Sequence, residues 1–335
     1  MTGATSAVPL HRPPHPLALQ WPKLGLGCAS LGTPPPGLAD ADAEAVMARA
    51  IERGIRFFDV APLYGGGVAE ERLGRALAGR PRNDYVLCTK TGVTRPYASL
   101  PMPPGATRRR EFDRWDYSAA ATRASVKTSL RRLCTDRLDI VHLHDSEDHP
   151  DACLEAYAEL ARLRDARVVV AIGIGSNVPA AVRALIDRAV FTTFLLAGAW
   201  TLLDQSGAAL LDEAHARGIR VVVGGVFNSG VLARWPQPSP TFAYQPAERA
   251  IQERTARIAA ICASHGVPLA AAALQFAAAH PAVDTVLIGP RTIDELDENL
   301  AAYAHPIPDA LWKDLADAAV VPAQRSRRSR TAAPA

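Results

Sequence analysis

The sequence predicts a single (β/α)8 barrel, and three observations carry that prediction. Short β-branched or apolar runs alternate with longer helical patterns, eight of each can be counted, and several of the runs end in a titratable side chain. Strict alternation argues for a parallel sheet. Eight pairs within 335 residues favour a closed barrel over an open doubly wound sheet.

The first strand is expected at Leu24–Gly27, followed by a helix near 40–53 with Asp40 as N-cap and Gly54 as terminator. Strand Ile55–Asp59 leads to a helix near 68–79. Strand Tyr85–Lys90 is separated from its helix, 118–133, by a long insertion over 91–117. Leu138–His144 with 150–165, Val168–Gly173 with 178–188, and Phe194–Ala197 with 204–217 give the next three pairs, the last capped by Asp204 and ended by Gly218. Arg220–Gly224 precedes a second insertion, 228–246, and a helix near 246–265 that stops at Gly266. Thr285–Gly289 and a helix near 292–301 complete the set. Loops as long as the two insertions are functional or unstructured in most compact domains. Both follow strands, so they are expected over the C-terminal face. Their aromatics Tyr97, Phe112, Trp115, Tyr117 and Trp235 are candidates to close a substrate pocket, the alternative being Pro-rich surface loops packed on themselves.

Composition narrows the function classes. A net charge of +3 from 37 basic and 34 acidic residues is too balanced for nucleic-acid binding, and no apolar run reaches membrane-span length. Cys28, Cys88, Cys134, Cys153 and Cys262 are scattered, odd in number and without CxxC spacing. They read as reduced thiols of a cytoplasmic protein, with neither a disulfide frame nor a metal site. Residues 1–16 and 321–335, the latter basic, read as disordered tails around a barrel spanning 17–320.

The chemistry gathers at strand ends. FFDVAPLYG places Asp59 at the end of one run and Tyr64 five residues on; YVLCTK ends in Lys90 and LDIVHLH in His144. In a barrel of parallel strands these ends share the catalytic face. Tyrosine, with an ordinary pKa of about 10, is a poor acid or base at neutral pH. A neighbouring Lys90 ammonium is expected to lower that value, and Asp59 to keep the lysine charged and aimed. Tyr64 is then a general acid in reduction and a general base in oxidation, with neutral His144 orienting the reacting oxygen. His142 shares the strand face with His144, which is favoured because it lies nearer the end. No Rossmann glycine fingerprint is present, so a nicotinamide would have to bind on the barrel face. Lys90 as a Schiff-base lysine, and a barrel that binds nicotinamide without turnover, are the rival readings.

Over about residues 20–315 the chain resembles the aldo-keto reductase family, in which Asp59, Tyr64, Lys90 and His144 match the order of the catalytic four. LLAGAWTLLDQ, GGVFNSGVLA and HGVPLAAAALQF place it nearest the aldose dehydrogenase branch. The resemblance implies NAD(P) stretched across the C-terminal face. Ser176 and Asn177 would bind the nicotinamide amide and Trp200 would stack on its ring. The loop with Gly225, Phe227, Asn228 and Gly230 would strap the pyrophosphate, and Gly289, Arg291, Glu295, Glu298 and Asn299 would meet the adenosine. Glu295, where NADPH-preferring members carry a base, implies NAD over NADP, though NADP remains possible. Leu63, Trp115 and Asp145 are substrate candidates. The implied substrate is a small sugar of L-fucose, L-galactose or D-arabinose type, oxidised at C1 to a lactone, or else a small aldehyde such as pyridoxal. Monomer and homo-oligomer are both open.

Overall fold

The computed structural model describes residues 21–33, 37–94 and 114–321. The expected N-terminal tail, all but Val321 of the C-terminal one, and the aromatics Tyr97 and Phe112 lie outside these residues. The fold class is as predicted. Eight parallel strands close a barrel in sequential order: β1 Leu24–Gly27, β2 Phe57–Asp59, β3 Val86–Thr91, β4 Leu138–His144, β5 Val169–Ser176, β6 Thr193–Ala197, β7 Arg220–Gly224 and β8 Val283–Ile288, with β8 returning to β1. Helices α1 Asp40–Glu52, α2 Val68–Leu77, α3 Ala119–Arg132, α4 Ala152–Asp165, α5 Pro179–Ile186 and α6 Ala208–Arg217 pack outside.

Strand side chains alternate with period two, and this splits the core. Phe57, Val86, Cys88, Ile140, Ala171, Leu195, Val222 and Leu287 form one buried cluster inside the barrel. Phe58, Leu87, Val141, Ile172, Phe194 and Val221 belong to a second one that meets the helices. Asp59, Lys90, His142 and His144 have the parity of the inner set. Register brings them level: Asp59 pairs with Cys88, Lys90 with His142, and His142 with Gly173. The strand ends thus deliver four polar groups into one small volume.

Several expectations are corrected. After β7 come two helices, α7 Arg249–Ser264 and α8 Leu269–Ala278, and beyond the expected last helix, α9 Ile293–Ala304, the chain adds α10 Asp309–Asp317, so the alternation is not strict. In α8 six of the ten residues of LAAAALQFAA are buried, so no polar stripe marked it as a separate helix. Strand β5 runs on to Ser176. Asp40 is the first residue of α1 and not its cap, spending its carboxylate on Arg72 at 2.6 Å. Asp204 stands ahead of α6 and accepts from the Ser206 N–H at 2.8 Å. Gly54, Gly218 and Gly266 do follow their helices with φ of 89°, 59° and 66°. Each insertion holds a short antiparallel pair, Val93–Thr94 against Arg114–Trp115 and Thr241–Phe242 against Gln245–Pro246. All five thiols are free. Among the described residues no single helix is long and apolar enough to cross a membrane.

Candidate active site

The site is built around a buried ion pair. Lys90 Nζ donates to both oxygens of Asp59, at 2.8 and 2.7 Å, and to the Val60 carbonyl at 3.0 Å; both side chains are almost wholly enclosed. The same ammonium stands over the Tyr64 ring, 4.7 Å from its centroid. Burial alone would lower the lysine, but Asp59 and the neighbouring phenol lift it above its ordinary range. Burial pushes the Asp59 carboxyl up while Lys90 opposes that rise. A Schiff-base lysine needs a free amine; this one is held as an ammonium by a carboxylate.

Tyr64 departs from the expectation that Lys90 lowers its pKa. Burial pushes the phenol above its ordinary value and the lysine recovers only part of the rise, because Asp59, bonded to the same ammonium, acts in the opposite sense. The resting side chain is therefore a protonated donor. It is aimed by a turn in which Gly65, Gly66 and Gly67 all have positive φ, at 64°, 66° and 105°. At Gly65 a Cβ would lie 1.8 Å from the Gly32 carbonyl oxygen, so only glycine fits. Leu63, Ala61 and Val93 form a small apolar cluster against which Tyr64 and Trp115 pack, so two of the three substrate candidates adjoin the phenol.

The two histidines separate as the strand-end argument expects. His142 is fully enclosed, 3.3 Å from Cys88 Sγ through Nδ1, and burial together with the Lys90 and His144 charges holds it well below the usual imidazole range. His144 turns its ring edge-on to Tyr64 at 5.9 Å, with Nε2 3.8 Å from Asp145 Oδ1. Tyr117, read from sequence as a pocket aromatic, instead donates its hydroxyl to the carbonyls of His144 and Asp145 at 2.6 and 3.1 Å. It pins the backbone that carries the imidazole. Asp59, Cys88 and His142 could in principle surround a cation. The Lys90 ammonium already occupies the carboxylate, so the charge such an ion would bring is supplied.

On the β7 side the chain makes a compact loop. Gly225, Asn228, Ser229 and Gly230 all have positive φ, and the Asn228, Gly230 and Leu232 N–H groups close turns onto Gly225 and Phe227 at 2.9, 3.0 and 3.1 Å. Gly225 is exposed, and a Cβ at Gly230 would meet nothing within 4 Å, so backbone faces open space there. Asn228 Oδ1 is buried with no hydrogen-bond partner among the described residues. A nest of left-handed residues with an orphaned buried oxygen beside it fits a phosphate-bearing, hydroxyl-rich ligand such as a dinucleotide. Gly289, Arg291 and Glu298 are exposed and Asn299 is half-buried. Glu295 is already engaged, accepting from the Arg291 N–H at 2.7 Å and pairing with Arg234 at 2.5 Å. Arg234 escaped the sequence reading, since nothing in a loop sequence tells which charge it will meet.

Two expected cofactor contacts are altered. Trp200 is fully buried and stacks on Phe276 at 4.8 Å, with His280 edge-on at 5.3 Å, so its faces are unavailable to a nicotinamide. The hydroxyl of Ser176 donates to Glu147 at 2.8 Å and accepts from the Val178 N–H at 3.0 Å. Asn177 is exposed beside it.

An enclosed acid–amine pair, a phenol and an imidazole on the C-terminal face of a (β/α)8 barrel define an oxidoreductase that interconverts alcohol and carbonyl. Residues 23–319 match the aldo/keto reductase family, and the chain belongs to it. It is 37 % identical to D-threo-aldose 1-dehydrogenase of Pseudomonas sp over 90 % of this chain and 95 % of that one. It is 35 % identical to pyridoxal 4-dehydrogenase of Microbacterium luteolum over 87 % and 92 %. The holo structure of aldo-keto reductase AKR11C1 from Bacillus halodurans superposes with a TM-score of 0.71 at 30 % identity, covering 92 % of this chain and 96 % of that one. The protein is an NAD(P)-dependent oxidoreductase of this family.

Proposed function

We propose that the protein oxidises C1 of a cyclic aldose, of L-fucose, L-galactose or D-arabinose type, to the lactone. The observation that carries the reading is the Lys90 ammonium held between the Asp59 carboxylate and the Tyr64 phenol. NAD, when bound, supplies the hydride acceptor. Tyr64, once deprotonated, takes the C1 hydroxyl proton as the C1–H bond gives up its electron pair, and Lys90 stabilises the phenolate that this role requires. His144 holds the sugar oxygen at its edge-on position to the phenol, with Asp145 behind the imidazole. The small apolar wall of Leu63 and Trp115 suits the non-polar face of a sugar ring.

The exposed Asn177 would meet the nicotinamide carboxamide, the loop of Gly225, Phe227, Asn228 and Gly230 the pyrophosphate, and Gly289, Arg291, Glu298 and Asn299 the adenosine. NAD is preferred over NADP, because Glu295 supplies no cation for a second phosphate on the ribose and itself takes up the Arg234 guanidinium. Comparable kcat/KM for both cofactors would overturn that preference. The identity of the substrate is tested by following NADH absorbance across L-fucose, L-galactose, D-arabinose and pyridoxal. Turnover of pyridoxal with no sugar oxidised would move the assignment to the aldehyde.

A further inference from the structure

Behind the Tyr64 turn lies a buried carboxylate that plays no part in proton transfer. Glu70, on α2, is completely enclosed. Its Oε1 accepts from the hydroxyl of Thr89 at 2.8 Å, and Thr89 is the residue before Lys90 on β3. Its Oε2 accepts from Arg132 at 3.2 Å. Arg132 in turn donates through Nη2 to the Gly66 carbonyl at 3.2 Å, two residues past Tyr64. The guanidinium fills the space beside Gly67, where a Cβ would lie 2.2 Å from Arg132 Cζ. From the other side Gly32 packs on the Tyr64 backbone, a Cβ there falling 2.8 Å from the Tyr64 carbonyl carbon. The turn is clamped between Arg132 and Gly32.

We propose that Glu70 and Arg132 are positioning residues: one hydrogen-bonded strut runs from Thr89, beside Lys90, through Glu70 and Arg132 to Gly66, and fixes the separation of the phenol from the ammonium. The inference rests on Tyr64 and Lys90 acting as proposed above. A three-glycine turn has no side chains of its own to hold it and large conformational freedom to lose. Without an external brace it would not keep a tyrosine ring in one place. A buried ion pair is a poor source of stability compared with an apolar packing of the same volume, so its presence at this spot is better explained by the geometry it enforces.

The test is Glu70→Gln, which keeps the shape and removes the buried one of the two carboxylates that pair with Arg132, the other being Glu71 at 3.8 Å. Three quantities are read: kcat and KM for the sugar, NADH affinity by fluorescence, and the pH titration of the Tyr64 ring. The titration is followed without substrate by 13C labelling of tyrosine Cζ, the resonance being assigned with Tyr64→Phe. Expected are a fall of about tenfold in both kcat and kcat/KM, NADH affinity within about twofold of the parent, as remote sites behave, and a displaced Tyr64 titration. Arg132→Lys, which keeps a cation near Glu70 but not the reach to Gly66, moves the same quantities in the same direction, and the double variant is no worse than the more damaged single. If Glu70→Gln does not fold, Arg132→Lys alone decides. A lowered melting temperature with kcat and the Tyr64 titration unchanged would reduce the pair to a stability role and overturn the proposal. A displaced titration in a protein that oxidises no sugar would leave the strut standing and remove the aldose assignment.

Discussion

The Asp59–Lys90 pair is open to a thermodynamic test that does not depend on knowing the substrate. With Nζ and Oδ2 2.7 Å apart, the bare attraction is about 6 kcal/mol at an effective dielectric of about 20. Desolvating two ions costs several kcal/mol each, so most of that attraction is offset. The consequence is asymmetric. Asp59→Asn leaves a buried ammonium with neutral acceptors, the substituted amide oxygen and the Val60 carbonyl, and no counter-charge, and Lys90→Met leaves a buried carboxylate; each should lower stability by about 3–5 kcal/mol. Asp59→Asn/Lys90→Met removes both charges and should cost far less than the sum, giving a coupling above about 2 kcal/mol. Urea unfolding followed by far-UV circular dichroism gives the four free energies. The same four proteins are assayed for turnover, and all three variants should be inactive although the double folds well. Single costs that add to the double within about 0.5 kcal/mol would mean that the two groups are not paired in solution, and the account of Tyr64 would lose its foundation.

Three further outcomes follow from the site. Burial holds the Tyr64 phenol above its ordinary pKa, and oxidation needs it deprotonated, so the oxidation rate should climb steadily from about pH 6 to about pH 9 while reduction, which uses the protonated form, does not; an oxidation profile peaking below neutrality would contradict the role. Tyr117→Phe withdraws the donor from the His144 and Asp145 carbonyls, which should lower stability by about 1–3 kcal/mol and reduce kcat through a loosened imidazole; thermal melts and initial rates measure both, and no change in either would show that the hydroxyl does not pin that backbone. Gly65→Ala drives a Cβ to 1.8 Å from the Gly32 oxygen, whereas Gly230→Ala at φ 97° meets open space. The first should collapse activity and the second should cost only about 1–2 kcal/mol of stability, a contrast that equal kcat values for the two would erase.

Strand positions were legible because burial on both faces leaves unbroken apolar runs, and because Asp59, Lys90 and His144 interrupt those runs at their ends. The period-two rule then sorts inward from outward residues without coordinates. It could not separate His142 from His144, which share parity; what separates them is depth along the strand, with His142 level with Lys90 and walled in by Gly173. Trp200 shows the opposite failure. The family resemblance implies a ring-stacking role for it, but Gly198 at φ 75° turns the chain and the indole enters the core. Glu70 had a usable signal that went unread: it lies three and seven residues before Leu73 and Leu77, in phase with the buried stripe of α2, while Glu71 falls outside it.

That placement matters for how the fold tolerates its own chemistry. Asp59 and Glu70 are both fully buried acids, and each has both oxygens hydrogen-bonded, the first by Lys90, the second by Thr89 and Arg132. Paired charges of this kind contribute little net stability, whereas the inner and outer apolar rows bury Phe57, Phe58, Leu87, Ile140 and Phe194 almost without exposure. Stability and activity therefore rest on different residues at neighbouring positions of the same strands. Removing both Asp59 and Lys90 charges should silence the enzyme and spare the barrel, and removing one should damage both.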